Sequence, residues 1–577
     1  MANTAVKAKT SASTSLPSAT TSNVEEPTKT LKLEDGLTLY TFYLECLAHG
    51  SYMVCHEGNC FIVDPRRDIG IYSKYLQDHN LKLKGVLESH LHADFVSGHM
   101  ELHKRYGATI FIGEDAGAQF PHYPCGDGEM LLLSSKYAIR AMPTPGHTPG
   151  CVTWVVVERA TDKAIMAFTG DTLFVGGCGR PDLVGALNPD LTPEVLSKMM
   201  FKSLREKILS LPDECLVFPA HGPGSPCGKG ISADLSSTIG KEKETNPALQ
   251  IDDEQKFIEF NTTGLDAAPQ YFPSAVMANM KGADDLDREV ENVTSLSISE
   301  FKAAMGDDVV ILDTRNAGPF AAGHIKGALN IPLGLGGGVH LEYEDGNFAI
   351  WVGTLIAPKA KVLIIAEEGK GKEAIERLGR IGYAQQIIGN LKSGMKTWIE
   401  AGEPVDKFDK ITVENADTIR QLQAKGYVIV DTRTSGEYSC VVRGHVKGSI
   451  NLPLAELPQS CSALDRDKKY VVYCLGGFRS AIAVSLLRQK GFDAVDFVAG
   501  YDRGILAKGC EMTTAQPDVC DKAKAAVQEI KQTATKTSAP LYSTSSASSA
   551  QPTGKSSESS TQPILNHKKK SRLCAIM

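Results

Sequence analysis

The chain has 577 residues, room for three or four domains at about 150 residues each, and its 42% hydrophobic and 22% charged content is ordinary for folded protein. With 61 basic against 68 acidic residues the net charge is −7, so the basic footprint of nucleic-acid recognition is missing. There is no run of about 18 apolar residues and no apolar-cored secretory signal, which excludes a membrane span and secretion, and 14 irregularly spaced cysteines without a C-x-x-C pair read as reduced thiols.

In chain order, residues 1–30 are rich in Ser, Thr, Ala and Lys and poor in apolar residues, the composition of a disordered tail. The absence of acidic residues before Glu25 suits a mitochondrial transit peptide, but the absence of Arg does not. Residues 31–290 form the first domain. Its strand-like runs Cys60–Val63, Gly85–Glu88, Ala164–Phe168 and Cys215–Phe218 each end in a Gly, Pro, His or Asp cluster, and the stretch from about 240 to 290 reads as closing helices.

The strand ends carry metal-ligand types. His90 and His92 stand at i and i+2 of an extended segment, followed by Asp94; His147 lies in Pro145-Gly146-His147-Thr148-Pro149-Gly150, Asp171 in Thr169-Gly170-Asp171-Thr172, and His221 in Pro219-Ala220-His221-Gly222. One such His is usually structural; this many in succession point to metal. The series, in this order, resembles the metallo-β-lactamase fold, an αββα sandwich with metal between the sheet edges. The text from Gly170 to Asp182 and from Ser237 to Glu242 resembles its persulfide dioxygenase branch. That resemblance implies one Fe(II) per chain on His90, His147 and Asp171, with His92, Asp94 and His221 around it as supporting groups or alternative ligands, and Arg180 contacting glutathione. Two-metal hydrolases usually carry His directly after the Asp, whereas here Phe95 stands there and cannot ligate, which favours a mononuclear site over two Zn. Cys178 and Cys227 are site thiols or small buried hydrophobes.

The rest of the chain repeats itself. Leu312-Asp313-Thr314-Arg315 answers Val430-Asp431-Thr432-Arg433, and Gly323–Leu333 answers Gly444–Leu454. Strands Val309–Leu312 and Val362–Ile365, then Val428–Val430 and Tyr470–Tyr473, alternate with helices Lys372–Ile381 and Ser480–Lys490, so 295–405 and 412–515 are expected to be two α/β domains with parallel sheets. In the second, Cys474-Leu475-Gly476-Gly477-Phe478-Arg479 joins a strand to a helix. Its backbone N–H groups and Arg479 favour a thiolate at Cys474 able to accept sulfur. This loop and both repeats resemble the rhodanese sulfurtransferases. In the first repeat Ala366 replaces the nucleophile and Gly371 the Arg, so that repeat is expected to serve as a spacer.

Residues 525–577 return to Ser, Thr, Ala, Pro and Lys, a second disordered tail by composition. It ends in Lys568-Lys569-Lys570-Ser571-Arg572-Leu573-Cys574-Ala575-Ile576-Met577, a farnesylation pattern at Cys574 with cations as second membrane signal. The expectations are therefore a multidomain chain oxidising glutathione persulfide or a related persulfide with O₂ to sulfite, and a rhodanese step turning sulfite into thiosulfate. Its partners would be farnesyltransferase and an anionic, cytosol-facing membrane rather than nucleic acid, with a mitochondrial location the alternative. The competing functions are a glyoxalase II-like thiolester hydrolase with Zn, and a membrane-tethered sulfur carrier with an inert metal domain.

Overall fold

The computed structural model describes residues 9–10, 27–185, 188–334, 347–498 and 500–514. The 525–577 tail and Cys574 lie outside the described residues. So does most of 1–30, of which Lys9–Thr10 are described as a two-residue strand paired antiparallel with Lys29–Lys32.

The first domain is a sandwich of two mixed sheets. One runs, in spatial order, Lys9–Thr10, Lys29–Lys32, Thr38–Leu44, His49–His56, Asn59–Val63, Lys82–Leu87, Thr109–Gly113 and Tyr123–Cys125; the other runs Ser237–Thr238, Leu216–Pro219, Lys163–Gly170, Val152–Glu158, Tyr137–Pro143 and Met130–Leu132. Side chains alternate across each strand. Tyr52 and Val54 therefore face the opposite sheet, meeting Trp154, Val156 and Phe168. Their neighbours Met53 and Cys55 face outward to Ile71, Tyr72 and Leu102 of the helices Gly70–Asp78 and His99–Tyr106. On the far side Val155, Ala167 and Val217 pack under Met200, Leu204 and Phe257. The order helix, sheet, sheet, helix is the αββα sandwich.

Two parallel sheets follow. The first has the order Ser295–Leu296, Ile387–Leu391, Lys361–Ile365, Val309–Asp313, Leu329–Asn330, and the second Ile450–Asn451, Tyr427–Asp431, Lys469–Tyr473, Asp493–Asp496. The repeated motifs are scaffold. Arg315 forks onto Asp313 (2.6 Å at its shortest) and donates to the Gly323 carbonyl, while Arg433 does the same with Asp431 (2.6 Å) and Gly444. Asn330 donates to the carbonyls of Asp313 and Arg315, and Asn451 to those of Asp431 and Arg433.

The three domains meet in one apolar cluster besides their own cores. A single apolar cluster passes from Leu44, Phe95 and Phe174, through Tyr271, Phe272 and Leu286 of the closing helices, into Ile331, Phe348 and Leu378 of the first repeat and Val430, Leu452 and Ile482 of the second. At the joint, Glu101 accepts the N–H of Leu286 at 2.9 Å. Burial pushes its carboxyl up to about 7. A carboxyl raised in the folded state favours the proton there, so its contribution to stability is lost as pH rises from the ordinary carboxylate range through about 7. Thermal melts between pH 5 and 8 should therefore show a decline that Glu101→Gln, which still accepts the Leu286 N–H, largely removes; an equal decline in the variant would assign the slope elsewhere.

Candidate metal centre and sulfur-transfer loop

The strands Lys82–Leu87 and Lys163–Gly170 and the turn after Tyr137–Pro143 end at one edge of the sandwich and bring His90, His147 and Asp171 together, with one ligand atom of each mutually within 4.8 Å. The Asp171 Oδ2 atom lies 3.9 Å from His90 Nε2 and 3.4 Å from His147 Nε2. These three atoms are buried and have no hydrogen-bond partner. Leaving such groups unpaired is costly, and a cation among them removes the cost. The opposite ring nitrogens are already held: His90 Nδ1 by Ser89 Oγ at 2.9 Å, His147 Nδ1 by the Arg180 carbonyl at 2.7 Å. That is how proteins fix the tautomer of a ligating imidazole. Burial pushes both rings below the usual imidazole range, keeping them neutral as ligands must be. The residues present fit a metal ion.

Two glycines allow the approach. At Gly170, with φ +52°, a Cβ would lie 2.6 Å from Ser89 Cβ, and at Gly179 one would lie 2.2 Å from the Asp171 carbonyl oxygen and 3.0 Å from His147 Nδ1. A side chain at either would drive apart the triad's backbone.

His92, Asp94 and His221 gather beside the triad, again within 4.8 Å. His221 bridges two carboxylates, Nδ1 to Asp171 Oδ1 and Nε2 to Asp94 Oδ2, each at 2.7 Å. Burial opposes charge on this ring, but Asp171 and Asp94 hold its pKa well above the usual range. His92 turns its Nε2 toward Asp64 Oδ1 (3.2 Å) and Glu88 Oε2 (3.7 Å). Of these groups His221 touches Asp171 directly, and His92, Asp94 and His221 themselves form a second cluster of metal-ligand types. Phe95 is fully buried in the interdomain cluster with its ring 4.3 Å from that of His92.

The Arg180 side chain is 5% exposed, and its guanidinium forks onto Asp182 (2.6 and 2.7 Å), with further bonds to the carbonyls of Pro226 and Asp266. Toward the metal triad Arg180 acts through its main-chain carbonyl, which holds His147 Nδ1. Cys178 lies in the apolar cluster of Met200 and Phe257, and burial pushes its thiol up to about 12, so it is the small hydrophobe of the two readings. Cys227 is at the site, its Sγ within 4.8 Å of Asp171 and His221 ligand atoms, with burial holding the thiol protonated. Sequence reading missed Asp64, Glu88 and His49. His49 opens the strand His49–His56, its ring 5.9 Å from His221 and 6.0 Å from His92, with neither nitrogen hydrogen-bonded. It stands in no recognisable motif; the only signal was the Val-Asp-Pro strand end at Asp64.

In the second repeat the strand Lys469–Tyr473 delivers Cys474 to a turn before the helix Phe478–Gln489. Gly477, at φ +97°, donates its N–H to Cys474 Sγ at 3.1 Å, and the Tyr501 N–H holds the Cys474 carbonyl at 2.8 Å. Arg479 forks onto Glu437 at 2.7 and 2.8 Å. Although burial opposes it, this Arg holds the Glu437 carboxyl down at about 2. Glu437, unseen in the sequence reading, thus keeps the cation beside the loop. In the first repeat Ala366 occupies the corresponding strand end and Gly371 begins the helix Gly371–Gly379.

Comparison with known proteins places both folds in known families. The metallo-beta-lactamase superfamily model matches residues 45–134, and the rhodanese-like domain model matches 297–401 and 414–507. The mitochondrial persulfide dioxygenase ETHE1 of mouse is 32% identical over 210 residues, 36% of this chain and 73% of that protein. The human protein of that name is 32% identical over 211 residues, also 73% of its length. Hydroxyacylglutathione hydrolase GloC of Haemophilus influenzae is 28% identical over 214 residues, covering 33% of this chain and 88% of that protein. Among solved structures, a metallo-beta-lactamase from Staphylococcus aureus superposes with a TM-score of 0.53 at 27% identity, covering 62% of this chain and 99% of that one.

Proposed function

Given that the chain belongs to the persulfide dioxygenase family within the metallo-β-lactamase superfamily, and carries two rhodanese-like domains, we propose that it oxidises a low-molecular-weight persulfide to sulfite and uses Cys474 to convert sulfite to thiosulfate. It is a metal-binding, persulfide-processing protein of sulfur metabolism. The observation that carries the finer reading is the trio of buried, unpartnered atoms on two histidines and one carboxylate.

His90, His147 and Asp171 would hold one Fe(II), which supplies open positions for a sulfur ligand and O₂. The chain's own residues do the rest. Ser89 and the Arg180 carbonyl aim the two imidazoles, and His221 holds one oxygen of Asp171 so that the other points inward. The overall change is RSSH + O₂ + H₂O giving RSH, sulfite and two protons, the terminal sulfur being oxidised and O₂ reduced. In the second step the Cys474 thiolate attacks the outer sulfur of another persulfide, the carrier thiol leaves, and sulfite takes that sulfur to give thiosulfate and free Cys474. Glutathione persulfide is the proposed carrier form. An oxygen electrode with glutathione persulfide tests the reading. Uptake of one O₂ per sulfite supports it, whereas thiolester hydrolysis by a protein with two tightly held zinc ions would make it a hydrolase like the GloC relative.

We place the protein on a cytosol-facing membrane through its C-terminus. Among the described residues no helix is long and apolar enough to cross a membrane; the proposed attachment is a lipid on Cys574. A farnesyl chain contributes about 0.8 kcal/mol per buried methylene, and Lys568, Lys569, Lys570 and Arg572 about 1 kcal/mol each near an anionic surface. Fractionation of cells should find Cys574→Ser in the soluble fraction with unchanged turnover; equal membrane fractions for both would show that this motif is not an anchor.

A further inference from the structure

The loop His90–Gly98 carries three site residues and lies between the strand Lys82–Leu87 and the helix His99–Tyr106. Backbone groups buried in such a loop need partners, and here the partners come from elsewhere. The Val96 N–H donates to the carbonyl of Arg380, in the first repeat, at 2.7 Å. The Arg380 guanidinium reaches back to Asp68 at 2.9 Å and toward Cys46 Sγ at 3.7 Å. Arg67 answers from the metal domain, donating to the Gly379 carbonyl at 2.7 Å. Two residues later Gly382, at φ +80°, sits against Val96, where a Cβ would lie 3.3 Å from Val96 Cγ2.

The indirect supports lead to the same repeat. Asn279 donates to the carbonyls of His92 (2.8 Å) and Phe95 (2.7 Å) and accepts the Ser97 N–H, while the Tyr271 hydroxyl donates to the Asp94 carbonyl at 2.7 Å. Tyr271 is clamped by the repeat: a Cβ on Gly353 would be 2.3 Å from its ring, and the Tyr383 ring crosses it edge-on at 6.4 Å.

We propose that the first repeat, which has no nucleophile, is a working part of the metal centre: through Arg380 it fixes the loop that aims His90 and Asp94, and Arg380 is a positioning residue for the metal ligands. This goes beyond a spacer between the outer domains. It rests on the metal-site reading but not on the oxygen chemistry.

The test uses Co(II) alone, titrated into the metal-stripped full-length protein, with affinity and the visible d–d spectrum as readouts. Arg380→Ala keeps the carbonyl that takes the Val96 N–H but removes the guanidinium bond to Asp68 that seats this segment against the metal domain; it should lower Co(II) affinity by about tenfold or more and alter the d–d band pattern. Cys474-dependent sulfur transfer should persist and report that the chain is folded. Arg380→Lys, which keeps a cation opposite Asp68, should recover most of the affinity, and it carries the test if the Ala variant does not fold. Unchanged affinity and spectrum in a folded Arg380 variant overturn the proposal while leaving the metal site standing. Failure of the wild type to bind Co(II) overturns both.

Discussion

Replacing His147 by Ala should yield a full-length protein that holds no stoichiometric iron and consumes no oxygen with glutathione persulfide. His147 supplies one of the three convergent atoms of the triad, and its Nε2 lies 3.4 Å from Asp171 Oδ2 in a buried setting. A site reduced to one imidazole and one carboxylate retains two ligands where the facial arrangement needs three. The loss should appear in metal analysis as well as in oxygen uptake. The wild type should hold about one iron per chain, since Phe95 supplies no ligand and His221 is already paired with both Asp94 and Asp171. The variant should still fold, because the sandwich core of Trp154, Phe168 and Tyr52 lies away from the triad. Retention of iron by His147→Ala would show that the metal sits elsewhere.

Cys474→Ser should abolish thiosulfate formation and let sulfite accumulate while oxygen uptake stays near wild type. The thiol is the one nucleophile on the loop that receives the Gly477 N–H and stands beside Arg479, and a serine hydroxyl at that place cannot take up sulfur as a thiolate does. The two steps belong to different domains, so the first should not depend on this atom. Oxygen uptake falling in step with thiosulfate would refute the two-site scheme, and surviving sulfur transfer would implicate another thiol. Glu437→Gln should produce a milder loss through the same loop, since Arg479 loses its charged partner but remains in the chain.

Most of the domain organisation was legible in the amino-acid sequence because it is written in local terms. Strand runs such as Val309–Asp313 and Lys469–Tyr473 are short β-branched segments ending in turn residues, and they were placed to within one or two residues. The triad His90, His147 and Asp171 was legible for a related reason: ligand types at the ends of successive strands are brought to one sheet edge by the sandwich topology, so chain order carries spatial information. The repeated Asp-Thr-Arg and Gly-His-x-Lys-Gly segments announced a duplicated domain, and Ala366 announced that one copy lacks its nucleophile.

What the tertiary structure alone decided were the pairings of buried groups, most of them between residues distant in sequence. The Arg180 guanidinium bonds the carbonyls of Pro226 and Asp266, 46 and 86 residues away. Phe95 read as a missing ligand, but it is also a core residue of a cluster that runs through all three domains. Glu88 reaches His92 from four residues away, but only the closing of the sheet brings Asp64 to His92 and His49 to His92 and His221. The Val96 to Arg380 hydrogen bond spans two domains and involves only backbone atoms, which every residue possesses, so no side-chain pattern could have signalled it. Local propensity and motif order determine which elements form and where their chemistry lies along the chain; the packing of those elements determines which buried groups find partners and which are left to hold a metal.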